Sequence, residues 1–352
     1  MDSPIPVHAE QAAVAPDPTI RRTVLWFSLV LAGITTVVMA PLWLTGASPD
    51  TFNAVVPVMS WAPALAAVAA WFAGGRQVPF TQWAALRPFR TGRALRTAGL
   101  MLAIFVAVPA VTTTIAVTVG IVVWQPTPES FGLVPLVLPY ALIAMFMTTG
   151  EEIGWRGALQ TALTPLGRWK ASIVIALAWS LWHLPLTLGF ASGGGLSMRE
   201  VVATSINLVI AGCILSGARL LSGSMWPAAW AHALMNTTLV FAASNLVTPS
   251  TELDTGAYWA LQAINWTVLA AVALACVSRA GRSLRRWSDR PRNADGRPTA
   301  HFDHLIDVAD RVEPVSDHQH RAARGEPSDG VLNAGLGVGI DGGHSFVEDE
   351  DR

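Results

Sequence analysis

Residues 132–163 read GLVPLVLPYALIAMFMTTGEEIGWRGALQTAL. The first part, 132–150, carries no charge, and the run then meets Glu151, Glu152 and Arg156. A transmembrane helix needs about 20 predominantly apolar residues. The stretch 132–150 therefore reads as a span, with the helix continuing past Glu151 to about Leu163. A charge at membrane depth is costly unless it is paired or faces water, so ionisable groups inside spans are functional candidates. One stretch thus decides the fold class and supplies the first candidate site.

Working outward, similar apolar runs occupy 24–45, 54–74, 98–124, 171–190, 201–221, 225–244 and 257–278. The expectation is an all-α polytopic transmembrane helix bundle of about eight spans. Composition demands it. Of 352 residues, 52% are hydrophobic and 13% charged, and mean hydropathy is +0.44, whereas a soluble domain carries about 25% charged residues. The third run holds Pro109 and is expected to tilt or kink there. Trp outnumbers Tyr fifteen to two, and Trp43, Trp71, Trp124, Trp169 and Trp259 sit near span ends as interfacial anchors. Cys213 and Cys276 lie in apolar runs without metal-ligand spacing and read as small buried hydrophobes.

Basic residues fix the expected orientation. Arg21 and Arg22 precede the first span. Arg76, Arg87, Arg90, Arg93 and Arg96 follow the second, and Arg168 and Lys170 follow the fourth. Arg279, Arg282, Arg285, Arg286, Arg290 and Arg292 follow the last. The alternate loops, 46–53, 125–131, 191–200 and 245–256, contribute only Arg199. The positive-inside rule then places both termini in the cytoplasm. Three segments follow: a polar N-terminal segment 1–22, a membrane domain 23–280, and a basic juxtamembrane stretch with a disordered cytoplasmic tail, 281–352. The apolar run after Arg22 is longer than a signal h-region and is expected to be retained. Tail histidines His301, His304, His318, His320 and His344 show no regular spacing and read as solvated. The sequence has no nucleotide-binding loop and no nucleic-acid signature.

Three small motifs carry the chemistry. Glu152 and Arg156 are four apart and can pair on one helix face. Glu151 points about 100 degrees away on a helix of 3.6 residues per turn and has no local partner. A carboxylate in a poorly solvated site can act as general base or acid; alternatively both glutamates simply end the span at the interface. His183 lies near mid-membrane, one turn after Trp179 and just before Pro185. It is either a packed histidine bonded to a carbonyl or a member of a site. His232 and Asn236 share a helix face and form either an interhelical polar clamp or a ligand-facing pair. Polar groups in lipid must find one another or water. Convergence of Glu151, His183 and His232 on one wet pocket is therefore expected, able to activate water and stabilise an oxyanion.

The motifs Glu151-Glu152-Ile-Gly-Trp-Arg156, Trp179-Ser-Leu-Trp-His183 and His232-Ala-Leu-Met-Asn236 resemble those of the CPBP family of intramembrane proteases. That family includes the type II CAAX prenyl proteases and the abortive-infection and lysostaphin-resistance-like proteins. The resemblance covers about 135–245. Its pattern is Glu-Glu-x-x-x-Arg, aromatic-x-x-x-His, His-x-x-x-Asn or Asp; the aromatic residue is often Phe and here is Trp179. It implies an endopeptidase whose site is reached from the cytosolic side. In that scheme Glu151 activates the attacking water, His183 is its partner, His232 and Asn236 hold the oxyanion, and Glu152 and Arg156 support the first motif. The expected cofactor is none or a divalent metal such as zinc, for which Glu151, His183 and His232 would be the ligands. No His-Glu-x-x-His motif occurs, and the reading leans to metal-free water activation. The expected partners are a membrane-associated peptide or protein substrate and the lipid bilayer, in a bacterial plasma membrane. Two other classes stand beside this reading: a non-catalytic membrane scaffold or immunity protein, and a proton-coupled secondary transporter.

Overall fold

The computed structural model describes residues 18–288 apart from 75, 77, 88 and 90. The expectations for the start of the N-terminal segment, for Arg90 and for the tail with its five histidines fall outside the described residues. Among the described residues every regular element is helical, with one isolated β-bridge between Trp124 and Val247.

Seven helices are long and apolar enough to cross a membrane. They are α1 (Pro18–Thr45), α2 (Pro49–Ala73), α3 (Thr91–Thr118), α4 (Pro128–Ala162), α5 (Arg168–Ser192), α6 (Met198–Ser222) and α8 (Thr255–Ser288). The remaining expected span is α7, residues 226–245, built from the α-helix Trp226–Leu234, a π-helical segment Met235–Leu239 and the short α-helix Val240–Asn245. It follows a buried turn, and Ala228, Ala229, Ala231, Ala233 and Leu234 are fully buried. The helix therefore sits within the bundle, against α3, α4 and α6. That explains its alanine-rich, polar-tolerant sequence: small residues let neighbouring helices approach closely.

Boundaries shift from the expected runs for local reasons. Helix α2 begins early because Ser48 caps it and Pro49 starts it, and it is interrupted at Val55. Helix α3 stops at Thr118, short of the expected 124, where Gly120 turns the chain with φ 76°. Helix α4 starts at a capping box between Thr127 and Ser130 and does continue past Glu151. It does so as a π-helical segment, Ile153–Leu159. The pairs α1–α2, α5–α6, α4–α7 and α2–α4 make the most extensive helix packings among the described residues.

The spacing Gly150-x-x-x-Gly154 explains how α4 meets α2. A Cβ on Gly150 would lie 2.5 Å from the Ser60 carbonyl oxygen and 2.8 Å from Trp61 Cα, and one on Gly154 would run into Pro63. Small-xxx-small spacing of this kind permits backbone contact between membrane helices. It fixes the turn of α4 that carries Glu151 and Glu152. Arg199, the single basic residue within 46–53, 125–131, 191–200 and 245–256, caps the α7–α8 connection by donating to the Leu253 and Ser250 carbonyls.

Candidate active site

Helices α4, α5 and α7 bring the three motifs together. Thr148 ties the first and third by donating to the Ala229 carbonyl at 3.1 Å. Glu152 and Arg156 pair at 2.8 Å, and neither side chain has any exposed surface. The i, i+4 pairing expected from sequence is thus present, with Arg156 placed in the π-helical segment. The same Glu152 Oε1 also accepts from His232 Nδ1 at 3.0 Å. One carboxylate oxygen therefore serves a guanidinium on its own helix and an imidazole on α7. The long-range half of that arrangement is not visible in a spacing rule.

Glu151 faces away from that pair. Its Oε2 accepts from the Trp179 indole N–H at 2.8 Å and lies 3.9 Å from His183 Nε2. His183 Nδ1 donates to the Trp179 carbonyl at 2.9 Å, because a carbonyl can only accept. In the neutral ring Nε2 is then an acceptor, turned towards Glu151. Pro185 lies two residues on within α5.

Trp179 is the hub of the site. Besides its bond to Glu151, its ring carries the Arg156 guanidinium on its face at 4.4 Å. It also meets the rings of His183 and His232 edge-on, each with centroids 5.1 Å apart. Sequence reasoning placed Trp179 one turn before His183 but assigned it no contact with Glu151. Its indole N–H was the available signal, since a phenylalanine at that position has no donor.

Glu151, His183, His232 and Asn236 all line one cavity of about 210 Å³. The remaining wall is largely apolar and includes Met59 from α2, Met147 from α4, Leu186 and Phe190 from α5, and Leu208 from α6. The walls from α2 and α6 were not anticipated, because their residues are ordinary span residues. Asn236 occupies the second π-helical segment. Both π segments therefore fall at motif residues, where such wide turns are frequently found in functional sites. Both histidines have Nδ1 engaged, a feature shared by many metal-ligating histidines. Even so, among the described residues no group of three or more His, Cys, Asp or Glu is gathered closely enough to hold a metal ion. The set Glu151, His183 and His232 does not form a ready metal site.

Fold and site together define a polytopic helical membrane protein with a carboxylate–imidazole cluster enclosed in its bundle. The resemblance drawn from the three motifs holds over residues 132–238, which match the family model described as type II CAAX prenyl endopeptidase Rce1-like. In addition, 50 residues are 40% identical to the CAAX prenyl protease 2 of Methanococcus maripaludis, covering 14% of this chain and 18% of that protein. The chain thus spans less than a fifth of the length of that curated relative.

Proposed function

We propose that this protein is an intramembrane endopeptidase, hydrolysing a peptide bond of a membrane-associated peptide or protein with a water activated by Glu151 and His183. The carrying observation is the 3.9 Å separation of Glu151 Oε2 and His183 Nε2. Two acceptors at that distance cannot bond to each other, but one water can donate to both. As the water attacks, Glu151 takes its proton and His183 keeps it aligned. The Trp179 bonds to Glu151 and to the His183 ring hold both groups in register. Asn236 and the Nε2 of His232 then donate to the tetrahedral oxyanion; as that intermediate collapses, the C–N bond breaks and Glu151 returns its proton to the leaving amine. A ring that donates from both nitrogens is cationic, and Glu152 is its counterion. The Rce1-like match over the motif segment supports this class over a scaffold or a transporter. The protein is read as residing in a bacterial plasma membrane with both termini cytoplasmic.

The test is comparative proteomics of cells carrying wild-type or Glu151→Gln protein, with the expected result a cleaved peptide present only with wild type. Identical peptide profiles would remove the hydrolase reading. With that substrate in hand, Asn236→Ala is expected to cost about 2.7–4 kcal/mol of transition-state stabilisation, or roughly 10²–10³ in kcat, as for other oxyanion donors. KM should change little, because the oxyanion exists only after attack. Trp179→Phe keeps the ring and deletes one donor to a charged acceptor, worth about 1.5–3 kcal/mol. A fall in kcat of about tenfold is expected, with KM near wild type and a lowered melting temperature, because a fully buried indole is replaced by a smaller ring. The resembling family often carries Phe there, which argues for the lower end of that range. An unchanged kcat would show that the indole N–H does not position Glu151.

A further inference from the structure

A second cavity, about 770 Å³, lies outside the motif cluster, between α3, α4 and α7. It exists because α3 packs on α7 and α7 on α4, while among the described residues α3 and α4 share no comparable packing with each other. Two spans thus leave a slot, and α7 closes its back. The floor is Thr238, Phe241, Ala242 and Leu246, of which Thr238 and Ala242 are buried. The rim is open. Val106 on α3, Trp124 in the following loop, and Val134 and Leu138 on α4 are 44% to 54% exposed.

The lining carries no charged side chain. Thr118 and Thr238 turn their hydroxyls back on their own helices, donating to the Thr114 carbonyl at 2.7 Å and the Leu234 carbonyl at 2.8 Å. An extended peptide in the slot would bury backbone N–H and C=O groups without partners, which a membrane interior penalises. A hydrocarbon chain has no such groups. The floor runs from Thr238 to Leu246, about 12 Å at 1.5 Å rise per residue. One leaflet offers a hydrocarbon depth of about 15 Å, half of the full core. At its Leu246 end the slot meets a layer of loops, where the Gln125 N–H donates to the Leu246 carbonyl and the Thr248 N–H to the Val123 carbonyl. Trp124 stands at that end, as tryptophan does at a headgroup boundary.

The floor of the slot is also a wall of the motif cavity. Asn236 and Leu239 line that cavity, while Thr238 and Phe241 line the slot. The π-helical segment Met235–Leu239 therefore stands between the two, and whatever fills the slot backs the turn that carries Asn236. We propose that the slot holds the acyl end of one bilayer phospholipid, its ester region at Trp124 and its chain ends at Thr238, and that this lipid buttresses the Met235–Leu239 segment. The site is distinct from the hydrolytic one. Only the consequence for Asn236 as an oxyanion donor rests on the hydrolase reading.

The probe is a phosphatidylcholine with a photoactivatable diazirine near the methyl end of one chain, reconstituted with the full chain in liposomes. Cross-links, located by mass spectrometry of the digested protein, are expected within 238–246 of α7. Ala110→Trp and Leu138→Trp, both on the exposed rim and outside the chemistry, place an indole over the slot. Each should lose the α7 cross-links and keep those on Leu142 and Phe146 of the exposed α4 face. Equal α7 cross-linking in wild type and both variants would overturn the proposal. So would its absence from wild type while Leu142 and Phe146 are labelled, a result that leaves the slot to a helix of another protein. The buttress is tested by hydrogen exchange of the 235–242 amides, which reads local opening, in a steroid detergent that has no alkyl chain. Adding dioleoylphosphatidylcholine should slow exchange in wild type and leave it unchanged in Ala110→Trp. Exchange unaffected in wild type, or slowed equally in both, would overturn that part. Neither readout needs turnover, so failure of the hydrolase reading, seen as wild-type activity of Glu151→Gln, is scored separately.

Discussion

Glu151→Gln is expected to lower turnover by about 10²–10⁴-fold, the contribution typical of a positioned general base, while leaving the fold intact. The amide is the same size, and its oxygen can still accept the Trp179 indole N–H that Glu151 Oε2 accepts at 2.8 Å. It cannot take a proton from water. Folding is spared because the substitution removes a buried charge without stranding a partner: the Arg156 guanidinium keeps Glu152 at 2.8 Å, and His232 keeps the same oxygen. Residual activity should come from His183, whose Nε2 faces the same point and can serve as a weaker base. Glu151→Gln/His183→Ala should therefore fall below either single variant, though by less than the product of the two losses, because both groups act on one water. The measurement is the initial rate of purified protein in proteoliposomes on the peptide found by proteomics, with thermal unfolding as the folding control. A well-folded Glu151→Gln protein that turns over at the wild-type rate would dismiss Glu151 as the base.

Hydropathy and arginine placement made the helical bundle legible, because lipid imposes a length on each span and the charge bias imposes an alternation. Residues 225–244 were legible as helix but not as an interior one. Ala228, Ala229, Ala231 and Ala233, 0% exposed in the fold, are as apolar by composition as lipid-facing residues would be. The Glu152–Arg156 pair was readable because both partners lie on one helix. The bond from Glu152 to His232 and that from Trp179 to Glu151 link different helices, and nothing in a single sequence sets their register. The π-helical segments at Ile153–Leu159 and Met235–Leu239 were invisible for a related reason. A wide turn costs hydrogen-bond geometry locally and is held only by tertiary contacts, such as the close approach of Gly150 and Gly154 to α2.

Glu152→Gln should be the most damaging single change for stability. Arg156 and Glu152 are both 0% exposed, and among the described residues the Arg156 guanidinium has no other carboxylate bonded to it; the Trp179 ring lies against it at 4.4 Å. Removing the negative charge leaves a buried cation, a situation that typically costs about 3–5 kcal/mol. The introduced amide can still bond to one neighbour through its oxygen, but it supplies no charge for the guanidinium or for a charged His232. Removing both charges should hurt less. Glu152→Gln/Arg156→Met replaces an ion pair by a neutral amide and an apolar chain of similar reach, and such replacements of buried pairs are often close to neutral. The double variant should therefore recover much of the melting temperature lost by Glu152→Gln. It should not recover activity, because His232 still lacks the counterion that its oxyanion role requires. Thermal unfolding in detergent together with initial rates distinguishes the two effects. A Glu152→Gln protein that melts at the wild-type temperature would show that the pair does not hold the site together.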